Sequence, residues 1–133
     1  MRDMNIREDV KQRLENGDYS CSKEYTLSII SGKWKIVILY HLGHEGAYHF
    51  NELMRLLPKI THRILTKQLR ELEEDGVIYR YNETINHRQY TFYALTSIGE
   101  SLMFIIDAMY DWGERRIEEL KLIPKYNISE KQE

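Results

Sequence analysis

Five polar side chains near the middle of the chain, His62, Arg63, Thr66, Lys67 and Arg70, are linked by steps of three and four residues. On an α-helix such steps place them on one contiguous surface. Each can hydrogen-bond to base edges or phosphates, and Arg and Lys are the usual readers of guanine in the major groove. Ile64, Leu65, Leu69 and Leu72 fall on the other side as an apolar face suited to a core. A charged helix face is often no more than solvated, but solvated faces usually mix signs. Residues 53–70 instead hold Arg55, Lys59, Arg63, Lys67 and Arg70 and no acid, and acids resume at Glu71, Glu73, Glu74 and Asp75. The chemistry expected of this segment is contact with double-stranded DNA.

Such a helix must be held by others. Thr61 can cap HRILTKQLRELEED, and Gly76 ends it as a left-handed residue would. Before it, Asn51 can cap ELMRLL, which Pro58 stops. The three or four residues expected between the two helices give the spacing of a helix-turn-helix, whose second helix enters the major groove. After Gly76 the period changes. VIYRYNET and QYTFYAL are β-branched and aromatic, with Ile85–Arg88 between them, so a hairpin follows. Its tip carries His87 and Arg88, with Asn82 and Asn86 nearby, and an Arg there is drawn to the negative potential of the minor groove. Asn51 and Lys59 are expected on the DNA backbone side.

Upstream, Ile6, Val10 and Leu14 mark a short amphipathic helix ending near Gly17. A helix from Ser22 to Ser31–Gly32 buries Tyr25, Leu27, Ile29 and Ile30. KWKIVILYHLG is apolar nearly all round and belongs at the centre of a core. A short extended piece at Tyr48–Phe50 follows. Thr96 caps one long final helix from Ser97 to about Leu120 with two apolar stripes side by side. Ile98, Leu102, Ile105, Met109 and Trp112 form one; Met103, Ile106, Tyr110, Gly113, Ile117 and Leu120 form the other. One stripe should cover the domain and the other a second copy of the chain. The fold class expected is mainly α with a small β-hairpin wing: a winged helix-turn-helix with extra N- and C-terminal helices for dimerisation. The single domain 1–133 divides into an N-terminal helical arm (1–20), the winged-helix core (21–96), a dimerisation helix (97–121) and a polar tail (122–133). Dimer contacts are expected from Ile6, Val10 and Leu14, and from Met103, Ile106, Tyr110 and Ile117. A dimer presents two recognition helices about one DNA turn apart, so the operator should be roughly palindromic.

Cys21 is the only cysteine. It sits at or just before a helix N-terminus, two residues from Lys23, and both features favour a thiolate. Either it is a redox or electrophile sensor, or it is a small side chain filling a gap. His41, His44 and His49 lie close in sequence, but HEGAYH has three residues between its histidines where the zincin helix motif needs two, and Gly46 breaks the helix. No metal, cofactor or catalytic residue is expected, and the chain does not read as an enzyme.

The composition bears on partners. Of 133 residues, 19 are Lys or Arg and 21 are Asp or Glu, a net charge of −2, which as an average speaks against nucleic acid. Residues 53–70 alone carry +5, so the remainder carries −7 (−2 minus 5). The average conceals one basic segment. No apolar run approaches the roughly 18 residues that span a bilayer, nothing resembles a secretory leader, and a cytoplasmic protein without membrane contact is expected.

Taken in order, Cys21, Gly32-Lys33-Trp34, Phe50-Asn51-Glu52-Leu53, Ile60-Thr61-His62-Arg63-Ile64-Leu65-Thr66, Leu69-Arg70-Glu71-Leu72-Glu73-Glu74-Asp75-Gly76 and Tyr93-Ala94-Leu95-Thr96-Ser97-Ile98-Gly99 resemble the HxlR-type winged-helix regulators of bacteria and archaea, relatives of the MarR superfamily. The resemblance runs from Cys21 to about Gly113. It implies a homodimeric, operator-binding transcriptional regulator, with Lys33 on the DNA backbone and Cys21 at the position of a cysteine that senses oxidants, quinones or aldehydes in several relatives. The inducer is left open, and a winged helix used only for protein–protein contact is the alternative. The family's proline-containing approach to the second wing strand is missing; Ile85-Asn86-His87-Arg88-Gln89 stands there instead.

Overall fold

The structure is a computed structural model and describes residues 5–126. Residues 127–133 of the expected tail and 1–4 of the expected arm lie outside it. Helix α1 (Glu8–Glu15) is followed by α2 (Ser22–Ile30), α3 (Lys35–Glu45), strand β1 (Tyr48–His49), α4 (Phe50–Leu56), α5 (His62–Glu74), strands β2 (Ile78–Ile85) and β3 (Arg88–Leu95), a single turn α6 (Ser97–Glu100) and α7 (Met103–Glu119). The strands form an antiparallel sheet in the order β1-β3-β2. This is the winged helix-turn-helix with helices added at both ends.

The core is an aliphatic layer between α3, α4, α5 and the base of the hairpin. Ile38, Leu39, Leu53, Leu57, Leu65, Leu69, Leu72, Val77 and Ile78 are essentially removed from water. Truncating any of these leucines to Ala costs about 2–5 kcal/mol through lost transfer energy and the cavity left behind. Leu27, expected inside, is exposed on α2. Ile64 also differs from expectation: it is 40% exposed, because the apolar stripe of α5 that meets the core is Leu65, Leu69 and Leu72. The apolar face of α3 is interrupted by Lys35, which is buried and ion-paired.

Capping fixes the helix-turn-helix. Thr61 Oγ1 accepts from Ile64 N at 3.1 Å to open α5, and Gly76 at φ +76° closes it. Asn51 does not cap α4. His49 does: its Nδ1 accepts from Glu52 N (3.3 Å), and Glu52 Oε1 accepts from His49 N (3.0 Å). The reciprocal pair is a capping box with imidazole in place of the usual hydroxyl. Asn51 instead lies exposed in the first turn, and the connection to α5 runs over Leu57–Thr61, longer than expected.

The hairpin is longer than its sequence suggests. Ile85 and Arg88 pair with each other, leaving a two-residue turn of Asn86 (φ 53°) and His87 (φ 69°). Two left-handed residues match the twist of a tight hairpin, and Asn tolerates that region well. This turn replaces the proline approach. At the base, Thr96 donates from its hydroxyl to Gly76 O (2.6 Å) and accepts from Gly99 N (3.0 Å), so one side chain ties the end of α5 to the start of α6.

The expected continuous last helix is broken at Ser101–Leu102. Gly99 explains the packing before the break: an added Cβ would stand 2.0 Å from Val77 O. The buried positions, Leu102 and Ile106, come one from each stripe and lie one turn apart on the side that meets the core. Ile106 therefore belongs to the core of the subunit rather than to a dimer contact. Val10 is corrected in the same way, being buried at 2% exposure inside its own subunit.

Candidate nucleic-acid interface

Helix α5 buries Leu65, Leu69 and Leu72 and turns the opposite side outward. Thr61, His62, Arg63, Lys67 and Arg70 are exposed along that side and Thr66 is half-buried between them, so the structure assembles the set read from spacing. His62 is steadied by its neighbours. Its ring lies 4.7 Å from that of Phe50 across the helix pair, and Thr66 Oγ1 is 3.5 Å from its Nδ1. Lys59, in the turn between α4 and α5, and Asn51, near the start of α4, are exposed. Arg88 is exposed at the tip of the wing, and Lys33 stands 4.8 Å over the Trp34 ring just before α3.

The basic face is not uniformly free. Lys67 Nζ is 3.2 Å from Glu71 on the next turn, and the same carboxylate accepts from buried Lys35 Nζ at 2.7 Å. Burial alone would raise the Glu71 pKa, but the hydrogen bonds and charges of Lys35 and Lys67 overcome it and hold the carboxyl below its usual range. Beyond it, Asp75 is almost wholly buried, and burial raises its pKa despite the Arg7 guanidinium at 2.8 Å. Glu73 reaches Arg80 of β2 at 3.3 Å. Of the acids that follow the basic segment, Glu71 and Asp75 thus serve as internal anchors, while Glu73 pairs at the surface and Glu74 is exposed. The sequence alone singled out neither Arg7 nor Lys35, and it assigned His49 and Phe50 neither the cap nor the ring contact they make. A lone lysine in an otherwise apolar helix and the spacing His-x-x-Glu were the available signals for two of them; Arg7 left none.

A second surface lies on α7. Phe104 (74% exposed), Trp112 (63%), Met109 and Tyr110 face outward, with Met103 and Ile117 partly covered. Beside them a groove of about 470 Å³ runs between α3 and α7, lined chiefly by Ile36, Val37, Tyr40, Ile106 and Met109. Tyr110 stacks on Tyr40, with ring centroids 5.4 Å apart. In the arm, Leu14 is exposed and Ile6 partly covered.

Cys21 occupies the N-cap position of α2 and is exposed, which removes the reading of a gap-filling core thiol. The three histidines go to separate tasks: His41 Nδ1 lies 3.0 Å from Glu45, His44 Nε2 lies 2.6 Å from Asp107, and His49 caps α4. Among the described residues no group of three or more His, Cys, Asp or Glu could hold a metal ion, and no helix is long and apolar enough to cross a membrane.

The same arrangement recurs in known proteins. A family model described as HxlR-like helix-turn-helix matches residues 29–121. The HTH-type transcriptional regulator YdeP of Bacillus subtilis is 48% identical over 110 residues, covering 79% of this chain and 83% of YdeP. The redox regulator HypR in its reduced form superposes with a TM-score of 0.69 at 40% identity, over 76% of this chain and 98% of that one. Its oxidised form gives 0.65 at 43% identity, over 71% and 96%. The helix pair, the wing and the added helices therefore place this chain in the HxlR-like helix-turn-helix family, whose members are transcriptional regulators and not enzymes.

Proposed function

We propose that this protein is a sequence-specific DNA-binding regulator that acts as a homodimer on a roughly palindromic operator. The observation that carries the reading is the outward side of α5, where Arg63, Lys67 and Arg70 stand on a helix whose reverse is fixed in the core by three buried leucines. A helix of that width fits the major groove, with its N-terminal residues toward the bases. In this reading His62, Arg63, Thr66, Lys67 and Arg70 enter the groove. Thr61, Asn51, Lys59 and Lys33 lie along the backbone, and Arg88 follows the adjacent minor groove. Association through α7, with Met103, Tyr110 and Ile117 joined by Phe104, Met109 and Trp112, would cover an apolar surface of a kind monomers seldom expose. Ile6 and Leu14 of the arm would add to the contact between copies, and a cytoplasmic location follows from the partner. The exposed Cys21 and the likeness to HypR, a redox regulator, support control by a thiol oxidant or electrophile.

Selection of duplexes from random-sequence DNA by the wild-type protein tests the reading, with the mass of the complex measured by light scattering. The expected result is an enriched sequence with dyad symmetry, two chains per duplex, and release by a thiol oxidant that Cys21→Ser abolishes. Enrichment of no sequence would overturn the DNA assignment. One chain per duplex would overturn the dimer, and equal release from Cys21→Ser would overturn the sensor.

A further inference from the structure

The N-terminal segment is bound to the far end of the recognition helix through one side chain. Arg7 Nε donates to Asp75 Oδ2 at 2.8 Å, and Arg7 N donates to Asp75 Oδ1 at 3.2 Å. Nη2 donates to Ser28 O of α2 at 2.5 Å, and Nη1 lies 3.8 Å from Glu71. Asn5 packs against Gly76, and Val10, one turn further on, is buried. Asp75 retains only 1% of its side-chain exposure; Arg7 is the cation hydrogen-bonded to it, with Lys35 acting from further away. Asn5, Arg7 and Val10 precede 29–121, the part matched by the family model, and are not part of the helix-turn-helix.

We propose that Arg7 is a positioning residue for DNA recognition: it straps the arm and α2 to the C-terminal end of α5 and so fixes the angle at which α5 is presented. The inference rests on the DNA-binding reading above. Its leverage is geometric. Asp75 lies about 20 Å along the helix from Thr61 at 1.5 Å per residue. A tilt of about 10° at the anchored end would move the other by roughly 3 Å, enough to break a hydrogen bond to a base. Lys35 and Arg80, which pair with Glu71 and Glu73, hold the last turn of the helix, and Arg7 holds the residue just beyond it.

Positioning and mere stability differ in what they do to specificity. Non-specific binding comes from phosphate electrostatics, whereas specific binding also needs the helix aligned with base edges. The test compares wild type with Arg7→Met, Arg7→Lys and Asp75→Asn, using the selected operator duplex and a scrambled duplex of equal length, well below each variant's Tm. Arg7→Met and Asp75→Asn change net charge in opposite directions. Both should nonetheless lower the operator-to-scrambled affinity ratio, by about 3- to 30-fold, the range by which residues outside a binding face modulate it. Arg7→Lys, which keeps the charge and loses the fork, should fall between. A ratio unchanged in these variants, or ratios that move in opposite directions with charge, would overturn the proposal. Should Arg7→Met not fold, Arg7→Lys and Asp75→Asn decide by the same ratio. A wild-type protein that fails to distinguish the two duplexes would refute the DNA-binding reading instead.

Discussion

Arg63 and Lys67 sit one helical turn apart on the same exposed side, yet they should not contribute equally. Arg63 is the second residue of α5, in the turn that a recognition helix points at base edges. A good bidentate contact to a base is worth about 1–3 kcal/mol of discrimination. A two-fold complex contains the contact twice, so Arg63→Ala should cost about 2–6 kcal/mol, at least a 30-fold loss of operator affinity. Lys67 starts from a different state, because its ammonium lies 3.2 Å from Glu71 and must be shared or released on binding. An exposed pair of that kind contributes about 0–1 kcal/mol, which offsets part of any phosphate contact that Lys67 makes. Lys67→Ala should therefore cost less than Arg63→Ala, and its effect should appear mainly in salt dependence. Each lost phosphate contact lowers the slope of log K against log salt by about 0.9, so about 1.8 for the dimer. Fluorescence anisotropy of a labelled operator, titrated at several KCl concentrations, measures both quantities. Arg63→Ala binding operator within about twofold of wild type would refute the assignment of the N-terminal turn to the bases, since no favourable base contact is that weak. Equal losses on operator and scrambled DNA would do so as well.

Two further outcomes follow from the packing. Gly99→Ala places a methyl 2.0 Å from Val77 O, a backbone atom that cannot swing away, so the base of the hairpin must shift. We expect a loss of at least about 1–3 kcal/mol in urea unfolding, as for other overpacked sites. Glu71 carries the pH dependence. Its folded pKa is held below the ordinary value, so it contributes stability above the unfolded carboxylate pKa that is lost as pH falls through the folded one. Glu71→Gln should thus destabilise the protein at pH 7, with the difference from wild type shrinking as denaturation is repeated toward pH 4. A difference that grew on acidification would contradict the Lys35 and Lys67 pairing.

Much of this fold is legible in the sequence wherever a local rule governs. Thr61, Gly76 and Thr96 act at the helix ends where their side chains or backbone freedom place them, and the spacing from His62 to Arg70 is realised as one surface. What escapes is set by contacts distant in sequence. At Gly99 α6 approaches Val77 too closely for a Cβ, and no periodicity within 97–120 contains that fact. The packing of α7 on α3 assigns Ile106 to the core rather than to a partner. Val10 is lost to the core similarly, once Arg7 pins the arm beneath α5. The cap at His49 was hidden for a chemical reason: imidazole serves as an acceptor in one tautomer only, so His-x-x-Glu carries a weaker signal than Ser-x-x-Glu.

The boundary between basic and acidic sequence at Arg70–Glu71 acquires a physical meaning from these pairings. A recognition helix needs cations at its exposed end, and it also needs its other end held firmly in a domain that buries little more than one aliphatic layer. Hydrophobic packing resists separation but permits sliding and tilt, since its energy is nearly non-directional. Ion pairs with directed hydrogen bonds resist tilt. Glu71, Glu73 and Asp75 each take a cation from a different element: Lys35 from α3, Arg80 from β2 and Arg7 from the arm. Three directions of attachment around one helix end define an orientation, where one would define only a pivot. The net charge of −2 is then the sum of two functions that must not mix, with cations directed outward and Glu71 and Asp75 drawn inward to hold the helix end. The uneven pairing of the basic face supports this division. Of the three cations on the outward side of α5, Lys67 is shared with Glu71, while Arg63 and Arg70 form no ion pair among the described residues.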